Sequence, residues 1–478
     1  MIDMLEKYEA VIQNTEPIKF TGTVTAVRGM LVESRGPQAV VGELCKIKAN
    51  NSSDPIMAEV VGLDEGTVKL MSYSDLQGIE LGSEVIAEGE ILSVPVGDAL
   101  LGRVINALGK AIDGKQEVYS SKRYPVLQTP PNPMDRKPIR QRIVTGVRAI
   151  DSLLAVGCGQ RLGIFSGSGV GKSTLMGMIA RNTNADVNVI ALIGERGREV
   201  MDFIEHDLGP EGLKKSVVVT ATSDESPLAR IRGAYTATAI AEYFRDQGKD
   251  VMLLFDSVTR FAKAQREIGL AAGEPAATRG YTPSVFETLP KLLERSGTSS
   301  KGSITGFYTV LVDGDDLDEP ISDAVRGIID GHIVLSRKLA QRSHYPAIDI
   351  LNSISRLAHR VSGRFTNQAV LAMRKSIAIY EESADMIQVG AYQKGSSEEV
   401  DKAIALHQPI KEFLMQEVTD PAPLESTIAS LSKITGIEIP VEEIHAIGAG
   451  APKKYIPTVP ASETAELYAE NNPDSKKE

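Results

Sequence analysis

The stretch "FSGSGVGKST", Phe165 to Thr174, decides how the rest of the chain is read. It departs by one residue from the phosphate-loop pattern G-x-x-x-x-G-K-[ST], because Ser166 stands where that pattern has its first glycine. Context still argues for a nucleotide cradle. "RLGIF" before it reads as a strand and "STLMGMIARN" after it as a helix, which is the setting the motif requires. Gly167, Gly169 and Gly171 let the backbone curl so that successive N–H groups point at phosphate oxygens, at the positive end of the next helix. On this reading Gly167, Ser168, Gly169, Val170, Gly171, Lys172, Ser173 and Thr174 form the phosphate cradle. Lys172 bridges the terminal phosphates and Ser173 ligates Mg2+, which takes few protein ligands. A glycine-rich turn carrying one lysine is the weaker alternative. Ser166 falls at the strand exit, on the rim, so Ser166→Gly is expected to change nucleotide affinity little.

Composition narrows the function classes. A chain of 478 residues has room for about two to four domains, and 42% hydrophobic residues with mixed charges reads as soluble and globular. The formal net charge is −11 with no long basic run, which argues against nucleic acid as a partner. Cys45 and Cys158 are the only cysteines. They fit neither a disulfide framework nor a C-x-x-C metal pair and suggest a reducing cytoplasm. No apolar run approaches the roughly 18 residues of a membrane span, and no signal peptide is expected. Six scattered histidines argue against a histidine-based metal site.

Organisation follows from changes in pattern. Residues 1–16 carry apolar positions near helical spacing and predict an amphipathic helix, either a cap on the next domain or a docking helix for a partner. Residues 17–95 hold short Val-, Thr- and Ile-rich segments between turn residues, which predicts a small β-barrel or sandwich. "YPVLQTPPNPMDRKP", residues 124–138, reads as a stiff strap. "VNVIALIG", "SVVVTAT", "DVMLLFDS" and "SITGFYTVLVD" are nearly all apolar, as buried parallel strands are. Residues 96–366 are therefore expected to form an α/β phosphate-loop core. Residues 367–440 turn helical and more polar, and 441–478 read as a loosely ordered tail rich in Pro, Ala and charge.

Four further residues are candidates. Asp256 ends the apolar run "DVMLLFD", where a carboxylate could serve Mg2+; taken alone it could also cap the helix expected from "DSVTRFAKAQRE", but 84 residues after Lys172 in an α/β core the Mg2+ reading is the stronger. Glu195, in "LIGERGREV", follows a buried-looking strand and could polarise an attacking water. Taken bare, it is a surface charge among Arg196, Arg198 and Glu199. Arg356, in "HYPAIDILNSISRLAHR", is either a solvated arginine or a finger reaching a neighbouring subunit's terminal phosphate. In the same stretch Ser353 and Ser355 could bond backbone. Tyr345 could offer an aromatic face to a base.

These motifs together resemble the rotary ATPase α/β family. "PAIDILNSIS", residues 346–355, is similar to that family's signature P-[SAP]-[LIV]-[DNH]-x-x-x-S-x-S, and "GSGVGKS", "GERGREV" and "LLFDSVTRFA" agree in order. Ser166 departs from the Gly or Ala usual there. Within the family, "GAYQKGS" ahead of an acidic helix and the absence of an acidic D-E-L-S-E-E-D segment resemble the type III export ATPases, and "GTVTAVRGMLVES" resembles their flagellar branch. The resemblance implies a RecA-like core between an N-terminal β-barrel and a C-terminal helical domain, and Mg2+-dependent ATP hydrolysis that energises flagellar protein export. It implies Glu195 as water activator, Asp256 on Mg2+, Tyr345 on adenine and Arg356 acting across a homohexamer's interfaces. The implied partners are a regulator at the N-terminal helix, a central-stalk coiled-coil protein, the export gate, and export substrates with their chaperones. The implied location is the cytoplasmic face of the export apparatus, with peripheral membrane association. Neighbouring readings are an injectisome secretion ATPase, the catalytic subunit of a proton-driven ATP synthase and a transcription-termination helicase.

Overall fold

A computed structural model describes residues 20–50, 54–312 and 318–448. The helix expected at 1–16 lies outside the described residues. From Thr21 the chain alternates: Val24 is buried between the exposed Thr23 and Thr25, the period-two pattern of a half-buried strand. Six such strands form, β1 (Thr21–Arg28), β2 (Leu31–Arg35), β3 (Glu43–Ile47), β4 (Ile56–Asp64), β5 (Thr67–Ser72) and β6 (Glu84–Ile91). They pair in the order β1-β2-β5-β4-β3-β6 and close into a barrel around Val24, Val32, Ile47, Val60, Leu70 and Val85. Gly22 is required at the closure, since a Cβ there would lie 2.1 Å from the Gly36 carbonyl carbon.

The next sheet is apolar on both faces. Its strands are β7 (Arg103–Ile105), β8 (Arg161–Ser166), β9 (Val187–Ile193), β10 (Ser216–Ala221), β11 (Asp250–Asp256), β12 (Ser303–Leu311), β13 (Gly331–Leu335) and β14 (Ile348–Ser355). The order is β14-β13-β8-β12-β11-β9-β10-β7, and a two-residue strand, Gly297–Thr298, pairs with β12. All neighbours along that order are parallel except β14, which runs antiparallel to β13. Alternate residues of β9 serve opposite layers. Val187, Val189, Ala191 and Ile193 join one cluster, Ile190 and Leu192 the other. Helix α1 (Lys172–Asn182) covers the second layer with Leu175, Met176 and Ile179. Helices α2 (Pro227–Asp246) and α3 (Val258–Ala271) cover the first with Ile231, Phe244 and Phe261. Each fully buried Leu, Ile or Phe contributes about 1.5–3 kcal/mol relative to exposure.

Barrel and core are joined by one buried polar cluster. Glu59 on β4 accepts from Arg232 Nε on α2 at 2.8 Å and from the Tyr73 hydroxyl at 2.7 Å. Burial first, and the Glu59 charge second, hold the Tyr73 hydroxyl well above its ordinary pKa. Removing Glu59 or Arg232 strands the other's buried charge, at a typical cost of about 3–5 kcal/mol.

After the sheet and a one-turn helix at Ala358–Val361 come α4 (Arg364–Gln388), α5 (Glu398–Leu414) and α6 (Leu424–Thr435). Helical structure continues past the boundary expected at Pro440, as α7 (Val441–Gly448). This helix is tied back to the start of α4. α4 has no capping side chain of its own, and Glu443 accepts from Thr366 N at 2.8 Å and Phe365 N at 3.2 Å. The rest of the expected tail, 449–478, lies outside the described residues. Among the described residues no helix is long and apolar enough to cross a membrane.

Candidate active site

The parallel strands bring their C-terminal ends to one edge, where open α/β sheets hold ligands. The loop after β8 lies there. Gly169 and Gly171 adopt φ of 76° and 91°, a region that favours glycine. α1 then starts at Lys172 with no capping side chain, so its first N–H groups are left for an anion. Val170 is buried beneath the loop, Ser168 and Gly169 face water, and Ser173 and Thr174 are half-buried in the first turn of α1.

Ser166 is the last residue of β8 and is not among the residues of positive φ. Its hydroxyl is buried without a hydrogen-bond partner. Ser166→Gly should therefore cost about 0.5–1 kcal/mol of stability through backbone freedom. Nucleotide Kd by calorimetry should stay within about twofold. A tenfold loss of affinity would mean that the hydroxyl meets the nucleotide.

Asp256 ends β11 and turns inward. Its Oδ1 lies 2.5 Å from Lys172 Nζ and accepts from Thr309 Oγ1 at 2.6 Å. Capping of α3 falls instead to Ser257, whose hydroxyl accepts from Arg260 N. That division of labour frees the Asp256 carboxylate for the loop.

Glu195 lies two residues beyond β9 and is only 6% exposed, whereas Arg196 and Arg198 beside it are solvated. Lys172 Nζ stands 3.5 Å from its Oε1, and Arg260 Nη2 donates to Oε2 at 2.9 Å. Arg260 Nη1 also donates to Gly194 O at 2.6 Å. Gly194 has φ 73°, and a Cβ there would press on the Arg260 side chain at 2.9 Å. Oε1 itself has no hydrogen-bond partner. Burial, then the charge of Asp256, raises the Glu195 pKa to about 7 against the pull of Lys172 and Arg260. Such a carboxylate is poised to exchange a proton near neutrality.

Lys172, Glu195 and Asp256 are thus gathered beside the open start of α1. The set fits a phosphate chain with a divalent cation: backbone N–H donors, one ammonium, the Ser173 hydroxyl and the Asp256 carboxylate. Arg260 and Thr309 belong to the site and were not singled out from the sequence. Arg260 had a signal, since it sits four residues beyond Asp256 in the first turn of α3 and faces the same strand end. Thr309 had none.

Tyr345 is 44% exposed and lies over the loop, with its ring 3.6 Å from where a Cβ of Gly171 would be. Arg356 is placed elsewhere. On the antiparallel β14, Ile348 is opposite Leu335, which pairs with Ser166, while Ser355 is opposite Gly331. Arg356 follows Ser355 and is exposed. The strand has eight residues, ~25 Å of extended chain. Arg356 N donates to Asp330 O, and Asp330 pairs with Arg161 at the start of β8. One chain therefore leaves Arg356 at the opposite end of the sheet from its own loop. Ser353 Oγ donates to Asp349 O, and Ser355 Oγ to Ala155 O, which fixes the strand leading to it.

Comparison with known proteins supplies the family. Residues 24–89 match the ATP synthase alpha/beta family beta-barrel domain, 146–355 its nucleotide-binding domain, and 365–433 the T3SS EscN ATPase C-terminal domain. The flagellum-specific ATP synthase of Treponema pallidum (strain Nichols) is 69% identical over 91% of this chain and 98% of its own length. The chain belongs to the type III export ATPases of the ATP synthase alpha/beta family. Its relatives in that family include the flagellum-specific ATP synthase of Bacillus subtilis (strain 168), 55% identical over 89% of this chain and 98% of the relative. The type 3 secretion system ATPase of Xanthomonas euvesicatoria is 48% identical over 87% and 94%. Among solved structures, the assembled ATPase EscN from the enteropathogenic E. coli type III secretion system is similar with TM-score 0.82 and 46% identity, over 87% of this chain and 100% of that one. EscN in complex with its central stalk EscO gives 0.81 and 45%, with the same coverage.

Proposed function

We propose that this export ATPase hydrolyses MgATP in a homohexamer and energises flagellar type III protein export. The chemistry is carried by one observation: the buried Glu195 carboxylate, with Oε2 held by Arg260 and Oε1, free of hydrogen bonds, 3.5 Å from Lys172 Nζ. The loop from Gly167 to Thr174 receives the phosphates, and Tyr345 offers its face to the adenine. Ser173 and Asp256 would hold Mg2+, which when bound neutralises charge on the terminal phosphates. Lys172 adds a fixed positive charge at the same place. Glu195 Oε1 orients a water and takes its proton as the water oxygen bonds to the terminal phosphorus and the bond to the ADP oxygen breaks. Arg356 of a neighbouring subunit stabilises the charge that develops.

Partners follow the same reading. The solved relatives are an assembled EscN and its complex with a central stalk, which supports a ring around a stalk-like coiled coil here. A regulator at residues 1–16, the export gate, and substrates with their chaperones complete the assembly, at the cytoplasmic face of the membrane. The flagellar branch is favoured because the 69% and 55% relatives are flagellum-specific, while the secretion-system relative is at 48%. Deletion of the gene in its own host tests this. Flagella and export of flagellar proteins should be lost while cellular ATP synthesis is unchanged. Intact flagella with lost effector secretion would transfer the chain to the injectisome branch, and a fall in ATP synthesis would make it a synthase subunit.

A further inference from the structure

Between α5 and α6, the chain from Met415 to Asp420 is pressed against the nucleotide-binding core. Gln416 is its centre and is 5% exposed. Its backbone N–H donates to the carbonyl of Tyr345 at 2.9 Å. Its side-chain oxygen accepts from Arg148 N at 2.8 Å, and its amide nitrogen donates to Gly146 O and Asp420 O, both at 2.9 Å. Both amide N–H donors and the side-chain oxygen are thus engaged. Arg148 closes the same turn with Nη2 to Met415 O at 2.7 Å, and Arg181, in the last turn of α1, donates to Val418 O at 2.8 Å. Gly146 lies against the end of α1, since a Cβ on it would collide with Asn182 Cβ at 2.2 Å. One turn of the helical region thus grips the residue carrying the aromatic ring, the segment entering the core and the helix that starts at the phosphate loop.

We propose that the Gln416 side chain is a positioning group for the nucleotide base: by anchoring its own turn to Arg148 N and Gly146 O it sets the main-chain N–H that holds the Tyr345 carbonyl, and so steadies Tyr345 over the loop from outside the phosphate site. The inference rests on the reading of Tyr345 as the base platform. It gives the helices α5 and α6 a direct hold on that platform. A displacement of α5 that carries Gln416 would pull directly on the Tyr345 carbonyl, and would reach Lys172 only along α1 from Arg181.

Magnesium-bound ADP and magnesium-bound pyrophosphate separate this role from a simple brace, because pyrophosphate fills the loop and carries no base. Both are bound without turnover, and Kd is read by calorimetry on the full chain. Gln416→Ala should weaken ADP about tenfold, within the usual range for loss of one base stack, and pyrophosphate by less than twofold. Tyr345→Ala should show the same selectivity. If Tyr345→Ala leaves ADP affinity unchanged, the platform reading fails and this proposal with it. If Tyr345→Ala is selective but Gln416→Ala binds ADP as the wild type does, the platform stands and the role of Gln416 is overturned. Equal weakening of both ligands by Gln416→Ala makes it a brace only and also overturns it. Should Gln416→Ala not fold, Arg148→Met, which frees the same turn from a more exposed side chain, is judged by the same criteria.

Discussion

Glu195→Gln is expected to bind ATP as the parent does and to lose about 10²–10⁴ of its turnover, the usual share of a positioned general base. The replacement keeps shape and keeps an oxygen to accept from Arg260. What it loses is the ability to take a proton at Oε1, the oxygen that has no hydrogen bond and faces Lys172 Nζ at 3.5 Å. The pH dependence tests the same assignment independently. With the Glu195 pKa raised to about 7, the carboxylate is the active form above that value and the acid below it. In the wild type kcat/KM should therefore fall as pH is lowered through about 7. The residual activity of Glu195→Gln should lack that limb. Near-normal turnover in the variant would remove Glu195 from the chemistry. A lost rate with an unchanged acid limb would assign the titration to another group.

The sequence made some of this legible and hid the rest for physical reasons. The phosphate loop could be read because its requirements are local: glycines for the curl, a strand before it and a helix after it. Asp256 was legible as the end of an apolar run, but its duty was ambiguous until Ser257 was seen to take the cap. Glu195 looked like one more charge among arginines. Its burial and its partner Arg260 arise from the packing of α3 against the end of β9, which no neighbouring residue announces. Thr309 sits inside an almost uniformly buried strand, one of several small polar residues on it, and meets Asp256 only because β12 lies beside β11. The barrel's alternation was plain, whereas its anchor on α2 through Glu59 and Arg232 joins residues far apart in sequence. The strands β13 and β14 carry no uniformly buried run to announce them, since burial alternates along both. The position of Arg356 depends on the antiparallel direction of β14, which the sequence does not state.

That direction makes the second large effect specific. Arg356→Ala should lower kcat by about 10³ or more, the range known for arginine fingers, with little change in ATP affinity. Arg356→Lys should rescue little, because a point charge cannot replace a planar fork on a phosphate. A solvated surface arginine would give neither result. The stronger test uses geometry. Because Arg356 lies a full strand length from its own loop, any phosphate it reaches belongs to another subunit. A Lys172→Ala subunit has a dead loop but an intact Arg356, and an Arg356→Ala subunit the reverse. Each alone should be inactive. In an equal mixture allowed to assemble, roughly a quarter of interfaces pair an intact loop with an intact arginine, as random filling of a cyclic ring requires. Activity should then return, and should vanish again on dilution below assembly. A mixture as inactive as its components would mean that Arg356 serves no neighbouring site, and that the ring gains its activity from contacts other than this one.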